Sequence, residues 1–140
     1  MYYSILVPVD LDEPSSWVRA VPVGLALARS FSAKITLGNI VPDSVAAREA
    51  QWSAIGYRRL LDSAAARLTS LADELRGDAE LATRVGAGSI ARGILDLAED
   101  AEADLIVLAS HRPEMKDWLI GANASRVVRH AQCSVMVVRD

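Results

Sequence analysis

The sequence predicts an α/β fold in which a parallel sheet is covered by helices on both faces. Three observations predict it: short apolar runs are unbroken, the segments between them show helical periodicity, and the two kinds of segment alternate to a final strand. A strand that is buried on both faces is continuously apolar. Alternating strands and helices build a parallel sheet with right-handed crossovers. For 140 residues we expect one domain spanning residues 1–140.

Five segments are predicted to be strands. The unbroken apolar runs are Ser4–Val9, Asp104–Ala109 and Ser134–Val138. Two weaker candidates lie between the first two runs, at Lys34–Ile40 and at about Leu81–Val85. Pro42–Gln51 follows the second strand and is predicted to be a flexible loop, whose length makes it a functional candidate.

Helices are predicted where apolar residues recur at steps of three and four, because such residues share one helical face. Two such faces are Leu60, Ala64, Leu68, Leu71 and Leu75, and then Ile90, Ile94, Leu97 and Ala101, with Ser89 as a candidate cap. An earlier helix contains Val21, Leu25 and Ala28, with Ser15 or Ser16 as its candidate cap. Pro22 lacks an N–H, so this helix either starts late or bends. The last helix is expected over Ala122–His130.

Composition and charge exclude several classes of protein. The chain is 51% hydrophobic, which suits a packed core, and its net charge of −3 gives no basic stripe for nucleic acid. The lone Cys133 makes neither a disulfide nor a metal cluster, which indicates a reducing compartment. We see no signal peptide and no apolar run near the roughly 18 to 20 residues of a membrane span. We therefore expect a cytoplasmic protein without a membrane or nucleic-acid partner.

Ligands of open parallel sheets bind beyond the carboxyl ends of the strands. The loop after the first strand, Asp10–Pro14, is acidic and would repel a phosphate, but it can accept hydrogen bonds from a base or ribose. The segment after the fourth strand, Ala109–Pro113, offers a hydroxyl, an imidazole and a guanidinium, and Gly121–Asn123 opens the last helix. A helix N-terminus suits phosphate. We therefore predict base and sugar near Asp10 and phosphates at the other two segments.

Each of these residues also has a purely structural interpretation. Asp10 and Asp12 are common turn formers, and glycine at position 121 can simply start a helix. A single arginine such as Arg112 is often a solvated surface charge, and His111 can cap or pack. Cys133 is interpreted as a small buried apolar residue. The three tryptophans, Trp17, Trp52 and Trp118, are interpreted as packing or interface residues.

Several segments resemble the universal stress protein family. The opening Ile5–Asp10 resembles the start of these proteins, and Ala103–Val107 resembles their fourth strand. Gly88-Ser89 followed by Ile94–Ala98 is also similar. The most specific match is the C-terminal block, which looks like the F/G-type branch: Ala109–Pro113, Leu119–Ala124, Val127–Ala131 and Cys133–Arg139. The resemblance covers nearly the whole chain.

The resemblance implies an open five-stranded parallel sheet of order 3-2-1-4-5 with helices on both faces. This is a Rossmann-like fold of the adenine nucleotide alpha hydrolase type. It also implies a homodimer, or a larger oligomer, formed through the last strand. The implied interface residues are Val135, Met136, Val137 and Val138, an apolar edge that needs covering.

Nucleotide-binding members of this family carry Gly-x2-Gly-x9-Gly-Ser/Thr after the fourth strand. Here Ala109 and Arg112 stand at the first two glycine positions, Gly121-Ala122 stands at the last pair, and the loop is one residue shorter. Similar proteins with Ser-His-Arg-Pro in this place are nonetheless associated with ATP binding. We expect Arg112 to supply charge and Asn123 to replace the hydroxyl donor. The implied nucleotide site is Pro8, Val9, Asp10, Ile40, Ala109, Ser110, His111, Arg112, Gly121, Ala122 and Asn123.

The leading hypothesis is a stress-response module that binds ATP, ADP or AMP, with or without Mg²⁺, as a regulatory signal. It is not expected to be an enzyme beyond slow hydrolysis or self-phosphorylation, and no residue is assigned to catalysis or to metal binding. The alternative is a dimeric interaction module of the same family that binds no nucleotide but touches a protein partner. A signalling receiver, a flavodoxin and a P-loop protein are disfavoured, because their motifs are absent.

Overall fold

The computed structural model describes residues 1–45, 54–110 and 121–139, which form one parallel sheet and the helices around it. The strands are β1 (Ser4–Pro8), β2 (Lys34–Pro42), β3 (Leu81–Gly88), β4 (Leu105–Ala109) and β5 (Ser134–Val138). Their order is β3-β2-β1-β4-β5, and each neighbouring pair is parallel. The predicted α/β class and the order 3-2-1-4-5 are therefore confirmed.

Helices cover both faces of the sheet. They are a short 3-10 helix (Pro14–Ser16), α1 (Ala20–Phe31), α2 (Ala54–Leu75), α3 (Ile90–Asp100) and α4 (Ala122–His130). Alternate residues of β1 point to opposite faces: Ile5 belongs to the core under α1 and α2, and Leu6 to the core under α3 and α4. Among the described helices, none is both long and apolar enough to cross a bilayer.

The predicted cap of the first helix is wrong. The residue before α1 is Arg19, and neither Ser15 nor Ser16 caps it. The Ser16 hydroxyl instead donates to the carbonyl oxygens of Glu13 and Asp10, at 2.7 and 3.1 Å. The late start of α1 places Pro22 in the first turn, where a missing N–H costs no intrahelical bond. Ser89 does precede α3 with extended backbone, but its hydroxyl makes no capping bond.

The strand predictions are right in number and differ at their ends. β1 stops at Pro8, one residue before the predicted end, and β4 begins at Leu105. β2 and β3 are longer than expected because they pair as far as Pro42 with Gly88. Pro42 is thus the last residue of a strand and not the start of a loop, and residues 43–45 are helical. The remainder of the predicted loop, residues 46–51, lies outside the described residues, as do Trp52 and Trp118.

Two residues test the burial that the sequence predicted. Leu68 of α2 is fully buried, as the periodicity of that helix predicts. Cys133 was interpreted as a small buried apolar residue; it does pack against the core under α3 and α4, but it is only half-buried. Burial, with a smaller contribution from the Asp104 carboxylate, raises the pKa of the Cys133 thiol above its usual value. The thiol is therefore neutral near pH 7.

Close packing of α3 on the sheet depends on a glycine. A Cβ added to Gly93 would lie 2.8 Å from two side-chain carbons of Ile40, at the carboxyl end of β2. Real Cβ atoms do not approach this closely, so a larger residue would have to displace Ile40 or the helix. Gly93 therefore sets the distance between α3 and the end of β2.

We predict that Gly93→Val lowers the free energy of unfolding by about 2 kcal/mol, because overpacking a tight core contact costs this much. Urea denaturation checks the change. Arg92→Val is the matched control: it places valine on the exposed side of the same helix, where we expect about 0.5 kcal/mol or less. Equal losses for the two variants would contradict the role given to Gly93.

Candidate functional site

A cavity of about 400 Å³ opens at the carboxyl ends of β1, β2 and β4, which is where an open parallel sheet binds ligands. Its size falls within the range of small-molecule sites. Eight of the predicted site residues line it: Pro8, Val9, Asp10, Ile40, Ala109, Ser110, Gly121 and Asn123. Ala122 is not among the lining residues, and His111 and Arg112 lie outside the described part of the chain. The front and late segments thus share one crevice.

The β1 end of the cavity is a hydrogen-bonded turn. The Asp10 carboxylate accepts from the backbone N–H of Asp12 at 3.0 Å, and the Asp10 carbonyl accepts from Glu13 at 3.0 Å. The Asp10 N–H donates to the Ser16 hydroxyl at 2.8 Å. One oxygen of the Asp10 carboxylate therefore forms the turn, as the structural interpretation of this residue predicts. The same residue lines the cavity, so the turn role and a ligand role are compatible.

Asn39 is a site residue that the sequence analysis missed. It lies near the end of β2, lines the cavity and is only 8% exposed. Its side-chain Nδ2 donates to the Val9 carbonyl at 3.0 Å, and the Val9 N–H donates to the Gly38 carbonyl at 2.8 Å. A buried amide needs a partner, and here it ties the end of β2 to the start of the acidic turn. The signal in the sequence was a single amide inside the run Leu37–Val41, which has no other polar side chain.

Apolar side chains form much of the wall of the cavity. They come from the strand ends and from helices on both faces of the sheet: Ile40, Val41, Leu60, Ala64, Ile90, Ile94 and Leu108. A flat aromatic ring gains free energy by burial against such a surface. Leu60 and Ala64 extend the predicted face of α2 to the rim, so this helix contributes to the site as well as to the core.

The N-terminus of α4 lies at the opposite end of the cavity. Gly121 precedes the helix, and the first backbone bond of the helix runs from the Ser125 N–H to the Gly121 carbonyl at 2.9 Å. The N–H groups of the three residues between them have no acceptor within the helix, which leaves donors for an anion. Gly121 has φ −56° and ψ 154°, which other residues also adopt. Its backbone conformation alone therefore does not require glycine.

Arg67 of α2 is the second residue that sequence reasoning missed. Its Nη2 lies 2.9 Å from the Asp12 carboxylate and donates to the Leu11 carbonyl at 3.2 Å, and the side chain lines the cavity. The Arg67 and Asp12 side chains are 53% and 82% exposed. An exposed ion pair of this kind contributes at most about 1 kcal/mol. Its effect on the charge at the cavity therefore matters more than its effect on stability.

The described part of the cavity offers no ready metal centre. Within residues 1–45, 54–110 and 121–139, no group of three or more histidine, cysteine or acidic side chains is placed to hold an ion. The carboxylates that line the cavity there are Asp10 and Asp12, and each already accepts a bond from within the chain. The site is thus an apolar cleft with hydrogen-bonding groups at one end and helix N–H donors at the other.

Comparison with known proteins finds relatives along the whole chain. Over 143 aligned residues the chain is 32% identical to Universal stress protein G of Salmonella typhimurium, which covers 99% of this chain and 100% of the relative. Universal stress protein UspA from Lactobacillus plantarum, a solved structure, is 27% identical with a TM-score of 0.74, and the match covers 99% of this chain and 98% of that one.

Three more distant solved structures share the fold and were determined with nucleotides. A universal stress protein in complex with cAMP has a TM-score of 0.63 at 20% identity, covering 99% of this chain and 97% of that one. The Archaeoglobus fulgidus protein in complex with dAMP has a TM-score of 0.61 at 18% identity, and the match covers 97% of each chain. A universal stress protein family protein from Arabidopsis thaliana with AMP bound has a TM-score of 0.61 at 19% identity. The match covers 98% of this chain and 91% of that one.

The sequence profile of the Universal stress protein family matches residues 1–139. Together with 32% identity over the full length of a curated member, this confirms the resemblance found in the sequence. The chain belongs to the universal stress protein family.

Proposed function

We propose that this protein binds an adenine nucleotide in the cavity at the carboxyl rim and uses it as a regulatory signal. The ligand is ATP, ADP or AMP, with or without Mg²⁺. The observation that carries the proposal is the pairing, in one cavity of about 400 Å³, of an apolar cleft with the N-terminus of α4. The AMP, dAMP and cAMP complexes of proteins with this fold support it.

The adenosine end of the ligand fits the region around β1 and β2. Ile40 and Val41 supply apolar contact for a purine ring, and backbone groups at the end of β2 supply hydrogen bonds. The Asp10 carboxylate oxygen that accepts no hydrogen bond from the described residues suits a ribose hydroxyl, which donates to an anionic acceptor. This assignment places the apolar wall at the purine ring and the carboxylate at the ribose.

The phosphate end fits the region where β4 stops and α4 begins. Ser110 offers a hydroxyl, and the first turn of α4 offers free N–H groups and the positive end of the helix dipole. Asn123 is the second residue of the helix and lines the cavity, so its amide can donate where the family motif has a hydroxyl. The sequence also predicts His111 and Arg112 for this end, and both lie outside the described residues.

We predict that Asn123→Asp weakens AMP binding about tenfold and leaves adenosine binding nearly unchanged, because the new carboxylate repels phosphate. Isothermal titration calorimetry measures both affinities. An acidic residue in the first turn favours the helix dipole, so the variant should not lose stability. Gln132→Glu, which adds the same charge beyond the far end of α4, is the control and should bind AMP normally.

Two results would contradict the nucleotide proposal. One is the absence of binding by the unmodified protein at millimolar AMP or ATP, with and without Mg²⁺. The other is an equal loss of AMP and adenosine binding in Asn123→Asp, which would place the phosphate elsewhere.

We expect the bound nucleotide to persist and not to turn over beyond slow hydrolysis or self-phosphorylation. Of the two carboxylates lining the described cavity, Asp12 is paired with Arg67 and Asp10 is engaged in its turn. Neither is placed at the phosphate end, where a general base would have to activate a water or hydroxyl. Phosphate release from ATP should therefore stay below one turnover per minute, roughly, against typical enzyme rates near 10 per second. Faster release would contradict the regulatory assignment.

We also propose that the protein is a homodimer through β5. This strand is an edge of the described sheet, and it carries Val135, Val137 and Val138 with Met136, which is 37% exposed. An apolar edge with unpaired backbone groups favours association with another strand. Pairing of two copies through this edge would cover it and join the two sheets.

We predict that Met136→Lys converts the dimer to monomer at micromolar concentration, because a charge would be buried in the proposed interface. Sedimentation velocity reads the mass directly. Ile55→Lys is the control: Ile55 is 67% exposed and lies on α2, which packs on β2 and β3 at the other side of the sheet. A monomeric unmodified protein, or dimers in both variants, would contradict the β5 interface.

A second candidate function is an interaction module that binds no nucleotide. The observation that favours it is Ala109 and Ala122 at positions where the nucleotide-binding motif has a glycine and a hydroxyl residue. In this case the β5 edge, and not the cavity, would carry function. The calorimetric titration described above distinguishes the two candidates, because this one predicts no heat with AMP or ATP.

A further inference from the structure

The proposed nucleotide site does not account for the position of Arg67. Among the cavity-lining side chains in the described ranges it is the only cation, and the carboxylates that line the same cavity there are Asp10 and Asp12. Its guanidinium contacts the acidic turn from the side of α2, at 2.9 Å from Asp12 and 3.2 Å from the Leu11 carbonyl. Arg67 and Asp12 are 55 residues apart in the sequence.

We propose that Arg67 sets the charge selectivity of the cavity. By neutralising Asp12, it allows the cavity to bind phosphorylated adenine compounds in addition to adenosine. The inference rests on the proposed nucleotide function and extends it to the question of which ligand the cavity prefers. Arg67 is in this view a specificity-determining residue that acts through Asp12 and not through contact with the phosphate.

Exposure argues against a mainly structural role for the Arg67 pair. Both partners are more than half exposed, so solvent screens their attraction and the pair adds little to folding. The core face of α2 is formed by other residues, including Leu68 and Leu71. The helix therefore stays packed without the guanidinium.

Charge near a concave, low-dielectric surface acts on ligands more strongly than its contribution to stability suggests. With Arg67 in place, the charged side chains that line the described part of the cavity are two carboxylates and one guanidinium. Without it, both carboxylates are uncompensated, and the charged side chains that line the described part of the cavity are all acidic. Adenosine carries no charge and is indifferent to this difference. The affinity ratio of AMP to adenosine therefore reports the effect.

The test compares AMP and adenosine in four proteins by calorimetry at low salt: the unmodified chain, Arg67→Met, Arg67→Lys, and Arg67→Met combined with Asp12→Asn. Arg67→Met should weaken AMP binding about fivefold and adenosine binding less than twofold. Arg67→Lys keeps the charge and should bind AMP within about twofold of the unmodified protein. The combined variant removes the carboxylate as well and should recover AMP binding to about the same level. At 0.5 M NaCl, roughly, the AMP difference should shrink, because the Debye length falls below about 5 Å.

Three results would overturn the proposal. An equal loss of AMP and adenosine binding in Arg67→Met would mean that Arg67 only shapes the cavity. A loss of AMP binding that Asp12→Asn does not restore would mean direct contact with the phosphate. No loss at all would mean that Asp12 does not affect the ligand. An unmodified protein that binds neither compound would overturn the nucleotide proposal together with this one, whereas the first three results leave nucleotide binding intact.

Discussion

The reversal of strand order between β1 and β4 is the constraint on which the rest of the structure depends. From β1 the chain passes to α1 on one face of the sheet, and from β4 it passes to the opposite face, where α4 packs. Because these two connections diverge, a crevice must open between the carboxyl ends of the two strands. Asp10 and Ser110 are the residues that follow those ends, so the topology brings their segments to the two sides of one cavity.

Patterns within single segments predicted most of the fold. The unbroken apolar runs predicted β1 and β4, which are covered on both faces, and also β5, which is a partly exposed edge strand in spite of its apolar run. The strand order came from the resemblance to the family, since periodicity does not say which strands are neighbours. The start of α1 was misplaced because Ser16 has the side chain of a helix cap but serves the Asp10 turn instead. The sequence analysis recognised correctly that the Ser16 hydroxyl bonds to nearby backbone, but it assigned the wrong backbone partner.

The site was predicted where it depends on strand ends and missed where it depends on tertiary packing. Asp10 and Ser110 follow from the rule that ligands bind beyond the carboxyl ends of parallel strands, and the resemblance to the family added Pro8 and Ile40. Arg67 could not be found in this way, because on a helix with its apolar face elsewhere it has the pattern of a solvated arginine. Only the packing of α2 beside the acidic turn brings the guanidinium to Asp12. Asn39 was closer to prediction, since an amide in a buried strand must bond to something.

For a regulatory ligand, the end that differs between AMP, ADP and ATP has to be connected to the surface that changes. In this fold the connection is short. Ser110, which lines the cavity at the proposed phosphate end, donates its backbone N–H to the carbonyl of Val138 at 2.9 Å. Val138 is the last residue of β5, the edge strand proposed as the dimer interface. A shift of Ser110 towards or away from a phosphate would therefore act directly on the end of β5 through this hydrogen bond.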